Sequence, residues 1–379
     1  MNLAAELRRE LADAIGSVAW RSALEEVPRE LFLGKAVYRH EPEHGWVPAH
    51  RSEMNSDDWL ALVYTDETWA TQINGVLAED ATEPVMFMRP TSSSTFPGLV
   101  VQMLETAGIG EGDRVLEIGT GTGYSTALMC SRLGSEVVTS IEYDPVIATR
   151  ARKAITEAGY TPTLIEGDGL LGYEANALYD RLIATCAVRT IPLAWLRQVR
   201  AGGTITAPMR GWLDGVAFAH LQVAKDGSAS GRFVRDNVYF MTARPHLPPY
   251  REHGLGRGEG GASRIDPALL KDDTGLFVAQ LAIPHALYGW VEDSLLSLHD
   301  VATGSEAEVR PSPEGGWTAR QHGLVRLWDA VEEVILIWEG AGRPHQSGFG
   351  LTVTPDHQYV WLGEPDGPRW DLPASSLTG

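Results

Sequence analysis

The residues best placed for chemistry lie in Arg114-Val-Leu-Glu-Ile-Gly-Thr-Gly-Thr-Gly-Tyr124, an apolar run that enters a glycine-rich turn. Gly119, Gly121 and Gly123 permit positive φ and let a ligand approach the backbone, at the carboxyl edge of a first strand, where doubly wound sheets bind ligands. A dinucleotide-binding turn would read G-x-G-x-x-G, whereas here the third glycine comes one position early and Tyr124 stands in its place. That spacing favours S-adenosylmethionine (SAM) over NAD. Glu117, expected to point from the strand into the crevice, then suits the methionine ammonium, and the backbone of the turn around Gly119, Thr120 and Gly121 takes the carboxylate. The next apolar run ends in Ile141-Glu142, 23 residues after Gly119 and followed by Tyr143, which sets a carboxylate where two ribose hydroxyls would lie. A third run is followed by Gly167-Asp168-Gly169, able to address an adenine edge. A lone Asp-Gly is usually a turn, but three such positions in order, each closing an apolar run, point to one binding site.

Other chemistries are poorly served. His40-Glu41-Pro42-Glu43-His44 matches the letters of a zinc-protease motif, but that motif needs both histidines on one helix face and the proline breaks the helix. No metal site is expected. No G-x-S-x-G marks a serine hydrolase. Cys130 and Cys186 lie in apolar segments and read as small core residues, without a disulfide framework. A formal charge of -19 and a pI near 5.0 repel phosphate backbones, so nucleic acid is not an expected partner. The N-terminus lacks the apolar core of a signal peptide, and no stretch of about 18 apolar residues occurs. The expectation is a soluble cytoplasmic protein with no membrane partner; the sequence does not indicate its oligomeric state.

The elements that must position this site follow from periodicity. Short apolar runs at Val115 to Ile118, Val137 to Ile141, Thr163 to Ile165, Leu182 to Thr185 and Thr204 to Ala207 alternate with helical stretches at Ser125 to Leu133, Pro145 to Ala158 and Pro192 to Val199. That alternation is the mark of βαβ units and a parallel sheet. Gly215 to Ala224 and Gly231 to Thr242 alternate like antiparallel edge strands around a Lys225-Asp226-Gly227 turn. Leu3 to Gly16 reads as an amphipathic helix, and 42 to 90 as a turn-rich cap. Pro245 to Ser263, dominated by proline, glycine and charge, reads as a linker. The fold class expected is α/β, a doubly wound Rossmann-like sheet with antiparallel edge strands, plus a smaller C-terminal α+β domain. The boundaries expected are 1–95 for a helical and cap segment, 96–245 for the ligand-binding domain, 246–264 for a linker and 265–379 for an accessory domain.

Further along, Gly167-Asp-Gly-Leu-Leu-Gly-Tyr-Glu-Ala-Asn-Ala-Leu-Tyr-Asp-Arg-Leu182 resembles the diagnostic segment of the protein-L-isoaspartate O-methyltransferases. Val27-Pro-Arg-Glu-Leu-Phe32, Ala184-Thr-Cys-Ala-Val188 with Ile191-Pro192, and Ala201-Gly-Gly-Thr204 are similar to three other stretches of that family, and the resemblance covers roughly 20–245. It implies a SAM-dependent methyltransferase sheet, SAM as cofactor, and a peptide or protein partner bearing an aspartyl or isoaspartyl acceptor. The family's Ser-Ala-Pro-His segment is matched by Thr91-Ser-Ser-Ser-Thr-Phe-Pro97-Gly98, with Thr95 on its serine and Gly98 on its histidine. The resemblance therefore implies that Ser93, Ser94 and Thr95 orient the acceptor carboxylate, with Ser92, Thr185, Cys186, Ala187 and Val188 lining the substrate. The added segments look like those of actinobacterial relatives that modify an aspartate of a lanthipeptide, lasso or ester-crosslinked precursor. The alternatives are general isoaspartyl repair and a non-catalytic SAM- or peptide-binding protein.

Overall fold

The computed structural model describes residues 3–86, 89–250, 258–291 and 294–373. They divide into two compact units, 1–185 with 194–206, and 186–193 with 207–379.

The first unit opens with helices α1 (Leu3–Ile15), α2 (Arg21–Glu26) and α3 (Glu30–Leu33). The apolar stripe of α1 buries Ala4 and Leu11 against Trp59, Leu62 and Val63 of α4 (Ser56–Val63). Asn55 starts α4 by accepting a hydrogen bond from Asp58 N at 2.8 Å. Around these helices β1 (Ala36–Glu41), β2 (Gly45–His50), β3 (Trp69–Ile73), β4 (Val76–Leu77) and β5 (Pro90–Ser94) form an antiparallel sheet, in which β5 pairs with β3. The turn-rich composition of 42–90 carries no strand pattern. The strands are short, and β2 is half-buried along its whole length, so no period of two is written into it. His40 and His44 fall on the β1–β2 hairpin rather than on a helix.

Helix α5 (Pro97–Thr106) leads into the expected alternation: β6 (Val115–Ile118), α6 (Tyr124–Leu133), β7 (Val138–Glu142), α7 (Pro145–Glu157), β8 (Thr163–Glu166), β9 (Tyr179–Ala184), α8 (Leu193–Gln198) and β10 (Val199–Arg210). The strands are parallel in the order β10-β9-β6-β7-β8. From β6 the chain builds outward through β7 and β8, then returns to β9 on the other side of β6. Strand order thus reverses at β6, and the glycine turn leaves its carboxyl end at that switch point. The fold is Rossmann-like. Strand β10 belongs to the first unit through Thr206 and to the second from Ala207.

The second unit continues through β11 (Val216–Val223) and β12 (Ala229–Val234), joined by the expected turn at Gly227 (φ 80°). The longer strand expected to run to Thr242 stops at Val234. Then come β13 (Glu259–Ala262), α9 (Asp273–Ala282), β14 (Ala286–Val291), β15 (Leu295–Asp300), β16 (Glu306–Pro311), β17 (Trp317–His322), α10 (Leu327–Gly340), β18 (Phe349–Val353), β19 (Gln358–Leu362) and β20 (Arg369–Asp371). Strands β13-β17-β16-β15-β14 make one antiparallel sheet, while β18 pairs with β12 and is followed by β19 and β20. The expected boundary near 245 falls between these two paired strands. An edge strand such as β12 presents unpaired N–H and C=O groups, and β18 satisfies them. Of the expected linker, 251–257 lies outside the described residues, and Glu259–Ala262 is strand rather than linker.

Candidate active site

The glycine turn takes backbone angles closed to most side chains, with φ of 96° at Gly119 and 56° at Gly121. Its shape is held from two sides. Gly119 N and Thr120 N donate to Ile141 O at 2.8 and 3.1 Å, and Thr185 Oγ1 donates to Gly119 O and, at 3.2 Å, to Ile118 O. A side chain at Gly119 would lie 2.7 Å from Thr185 Oγ1. Thr185, expected to line the substrate, is instead a brace of the turn.

Beneath the turn lies a buried polar cluster. Glu117 is fully buried and accepts hydrogen bonds from Ser125, Thr126 and, at 2.7 Å, Ser140. Burial pushes its carboxyl above the ordinary carboxylate value, against the opposing effect of the three hydroxyl donors. This corrects the expectation that Glu117 projects into the crevice: its acceptor sites face the start of α6. Thr120 Oγ1 is likewise turned inward, 2.7 Å from Ser140 Oγ, and its carbonyl accepts from Gly123 N at 2.9 Å. Tyr124 is buried too, its ring edge-on to Phe32 at 5.7 Å and beneath the Arg29 guanidinium. It joins the Val27-Pro-Arg29 motif to the turn and does not face a ligand.

Of the carboxylates expected to meet the cofactor, Glu142 ends β7 and Asp168 follows β8. Glu142 Oε2 accepts from Gly121 N at 2.8 Å and Oε1 from Asp144 N at 3.0 Å, which lays the carboxylate across the turn. Tyr143 beside it is 47% exposed. Asp168 uses Oδ1 to cap the short helical turn at Gly169–Leu171, through Leu170 N at 2.9 Å. Gly169 packs so closely that a side chain there would reach Ile118 Cγ2 at 2.5 Å, and its carbonyl accepts from Trp195 Nε1 at 2.8 Å.

The hydroxyl segment reaches the same place. A side chain on Gly121 would lie 3.7 Å from Ser93 O, so β5 passes directly over the turn. Alternation along β5 sorts its hydroxyls. Ser92 and Ser94 are buried, Ser92 accepting from Thr71 Oγ1 at 3.2 Å and Ser94 Oγ enclosed with no hydrogen-bond partner. Ser93 and Thr95 are half-exposed. Of the expected trio, Ser93 and Thr95 are thus accessible, whereas Ser94, like Ser92, faces the interior. Cys186, Ala187 and Val188 belong to the second unit. Ala187 and Val188 are buried, and their N–H and C=O groups are engaged with Met241, Ala243, Pro208 and Arg210. Neither offers a group to substrate, which corrects their assignment.

Two residues escaped the sequence reading. Arg29 is fully buried, and burial holds its guanidinium down at about 10. It donates to Val63 O and Thr65 O at 2.6 Å, Glu67 O at 2.8 Å and Thr95 O at 3.4 Å, fastening the loop after α4 to the end of β5. Asp66 on that loop accepts from Gly98 N at 2.7 Å, and any side chain at Gly98 would meet its carboxylate at 2.6 Å. The motif containing Arg29 was visible, but its partners are carbonyls 34 to 66 residues away, which no spacing rule reveals. Among the described residues no group of three or more His, Cys, Asp or Glu is placed to hold a metal, and no helix is long and apolar enough to cross a membrane.

Comparison with known proteins agrees with this geometry. Residues 66–243 match the family model described as Protein-L-isoaspartate(D-aspartate) O-methyltransferase (PCMT). A protein-L-isoaspartate O-methyltransferase of Ignicoccus hospitalis is 42% identical over 115 residues, 30% of this chain and 54% of that protein. Protein-L-isoaspartate O-methyltransferase 2 of Archaeoglobus fulgidus is 33% identical over 191 residues, 49% of this chain and 75% of that protein. The match thus spans about half the length of the first relative and three quarters of the second. A solved structure named protein-L-isoaspartate O-methyltransferase shares the fold with a TM-score of 0.53 at 20% identity, covering 94% of this chain and all of that one. With a relative 33% identical and matched over three quarters of its length, the chain belongs to the protein-L-isoaspartate O-methyltransferase family.

Proposed function

We propose that the protein is a SAM-dependent carboxyl O-methyltransferase that methylates an aspartate side chain of a ribosomally made peptide. The donor set suits the cofactor: a positive-φ glycine turn, with one carboxylate at the end of β7 and one after β8. SAM, when bound, supplies an electrophilic methyl on a sulfonium. Glu142 and Asp168 would hold its ribose and adenine. The acceptor carboxylate, with a pKa near ~4, is already ionised at neutral pH, so no general base is needed. Ser93 and Thr95 would donate to it and orient it, and positioning of this kind can supply much of the rate. The resulting ester is attacked by the next backbone nitrogen, methanol leaves and an aspartimide forms, which water opens to isoaspartate.

The observation that supports this reading is the approach of β5 to the glycine turn, where a side chain at Gly121 would lie 3.7 Å from Ser93 O. The preference for a dedicated peptide over general isoaspartyl repair rests on Gly98. Where the family motif has histidine, the Asp66 carboxylate occupies the space beside Gly98 and accepts its N–H, so a side chain there would require Asp66 to move. The C-terminal segment does not separate the two readings, because the solved family structure also covers it. The test is a mass-shift assay with SAM on an isoaspartyl peptide and on a modified-peptide precursor encoded beside this gene. Gain of one methyl followed by loss of methanol on the precursor alone supports the proposal. Methylation of the isoaspartyl peptide alone assigns repair, and SAM binding without transfer to either peptide sinks the enzymatic reading.

A further inference from the structure

The second unit contains an open, mostly apolar recess that plays no part in the proposed chemistry. Its wall is mostly apolar, formed by Met209, Phe233, Phe277, Leu281 and Val360. Phe233 and Phe277 meet edge-to-face at 5.5 Å, so this wall is preformed. Two arginines interrupt it. Arg210 is paired with Asp214 at 2.9 Å. Arg189 has no carboxylate: none of the ion pairs among the described residues includes it.

Arg189 is nevertheless held rigidly. Its guanidinium lies 3.5 Å from the Trp212 ring centroid, Nη2 donates to Pro284 O at 2.8 Å, and its backbone N donates to His246 Nδ1 at 3.1 Å. Trp212 is fixed in turn by donation from Nε1 to His246 O at 2.9 Å. Burial alone draws the guanidinium down to about 10, with no acidic group opposing it, and it stays charged at neutral pH. A half-buried cation without a counter-ion is unfavourable, and this chain carries 50 acidic residues against 31 basic ones, yet places none there. A second polar group is also unfilled. Gln280, which lines the pocket and is 9% exposed, donates from Nε2 to Gly215 O at 2.8 Å, while its Oε1 has no hydrogen-bond partner.

A cation, an apolar wall and an amide acceptor complement a carboxylate, an apolar side chain and an amide N–H on one small body. We propose that this pocket binds the free carboxyl terminus of a peptide whose last residue is apolar. The site is independent of whether the first unit transfers methyl groups.

Calorimetric titration of the full-length protein with N-acetyl-leucyl-phenylalanine and with its C-terminal amide tests this directly. The acid binds, and the amide binds at least about tenfold more weakly, because a charge-assisted hydrogen bond is lost. Arg189→Gln brings the acid down to the level of the amide, and Leu281→Trp, which fills the pocket, abolishes binding of both while SAM binding is retained. Failure of the acid to bind, or equal binding of acid and amide to the unaltered protein, overturns the proposal whatever the variants do. Binding of 3-phenylpropionate as tight as that of the dipeptide overturns the assignment to a peptide terminus.

Discussion

Glu117 and Glu142 sit below and above one turn of backbone and have opposite environments. The Glu117 carboxyl is raised above its ordinary 4.5 by burial, so the folded chain holds a proton there at pH values where the unfolded chain has released it. The stability linked to that proton is fully present below the unfolded pKa and is lost as pH rises through the folded one. Glu117→Gln cannot titrate, and its urea-denaturation stability should lack this component of the decline as pH rises above 4.5; an unchanged slope would show that Glu117 titrates normally. Glu142, by contrast, is only half-buried and is bonded to backbone N–H groups of the turn. Glu142→Ala should weaken SAM binding by about tenfold or more, the worth of a charge-assisted hydrogen bond, with the thermal midpoint little changed. A SAM titration monitored by calorimetry reads the first and a melting curve the second.

At the scale of elements, the loop after α4 and the end of β5 are held in place by one arginine. Arg29→Ala leaves the carbonyls of Val63, Thr65 and Glu67 without their donor and should destabilise the protein by about 3 kcal/mol or more. Arg29→Lys supplies charge without the fork and should recover only part of that, as chemical denaturation will show. The central elements were legible because their signals are local. Val115–Ile118 has the boundaries that the apolar run marks, and α7 begins where Asp144 accepts from Val146 N beside Pro145. The sheet formed by β1 to β5 was not legible, because its strands are defined by partners rather than by pattern: β3 pairs with β5 across register shifts. At the site, the glycine turn and the strand-end carboxylates could be read from order and spacing. The inward turn of Glu117 could not, since it depends on three hydroxyls that arrive from α6 and β7.

For the whole molecule, the pairing of β12 with β18 ties the family's matched region to the last part of the chain. The sequence concealed this, because composition marks where a chain is polar and says nothing of which edge strand lies without a partner. A chain ended at residue 245 would lose β18 and leave β12 as an open edge. It should aggregate rather than persist as a monomer, and size-exclusion chromatography would reveal the difference. A soluble, SAM-binding fragment would show that the edge is protected in some other way. The same pairing also sets a schedule for biosynthesis. Arg232 and Gly350 face each other in the ladder but are 118 positions apart (350 − 232). At roughly 5–20 residues per second, the ribosome delivers the partner strand about 6–24 s after β12 has been made. Throughout that interval the nascent chain displays a complete but unpaired edge, and this is the stage at which a chaperone has the most to protect.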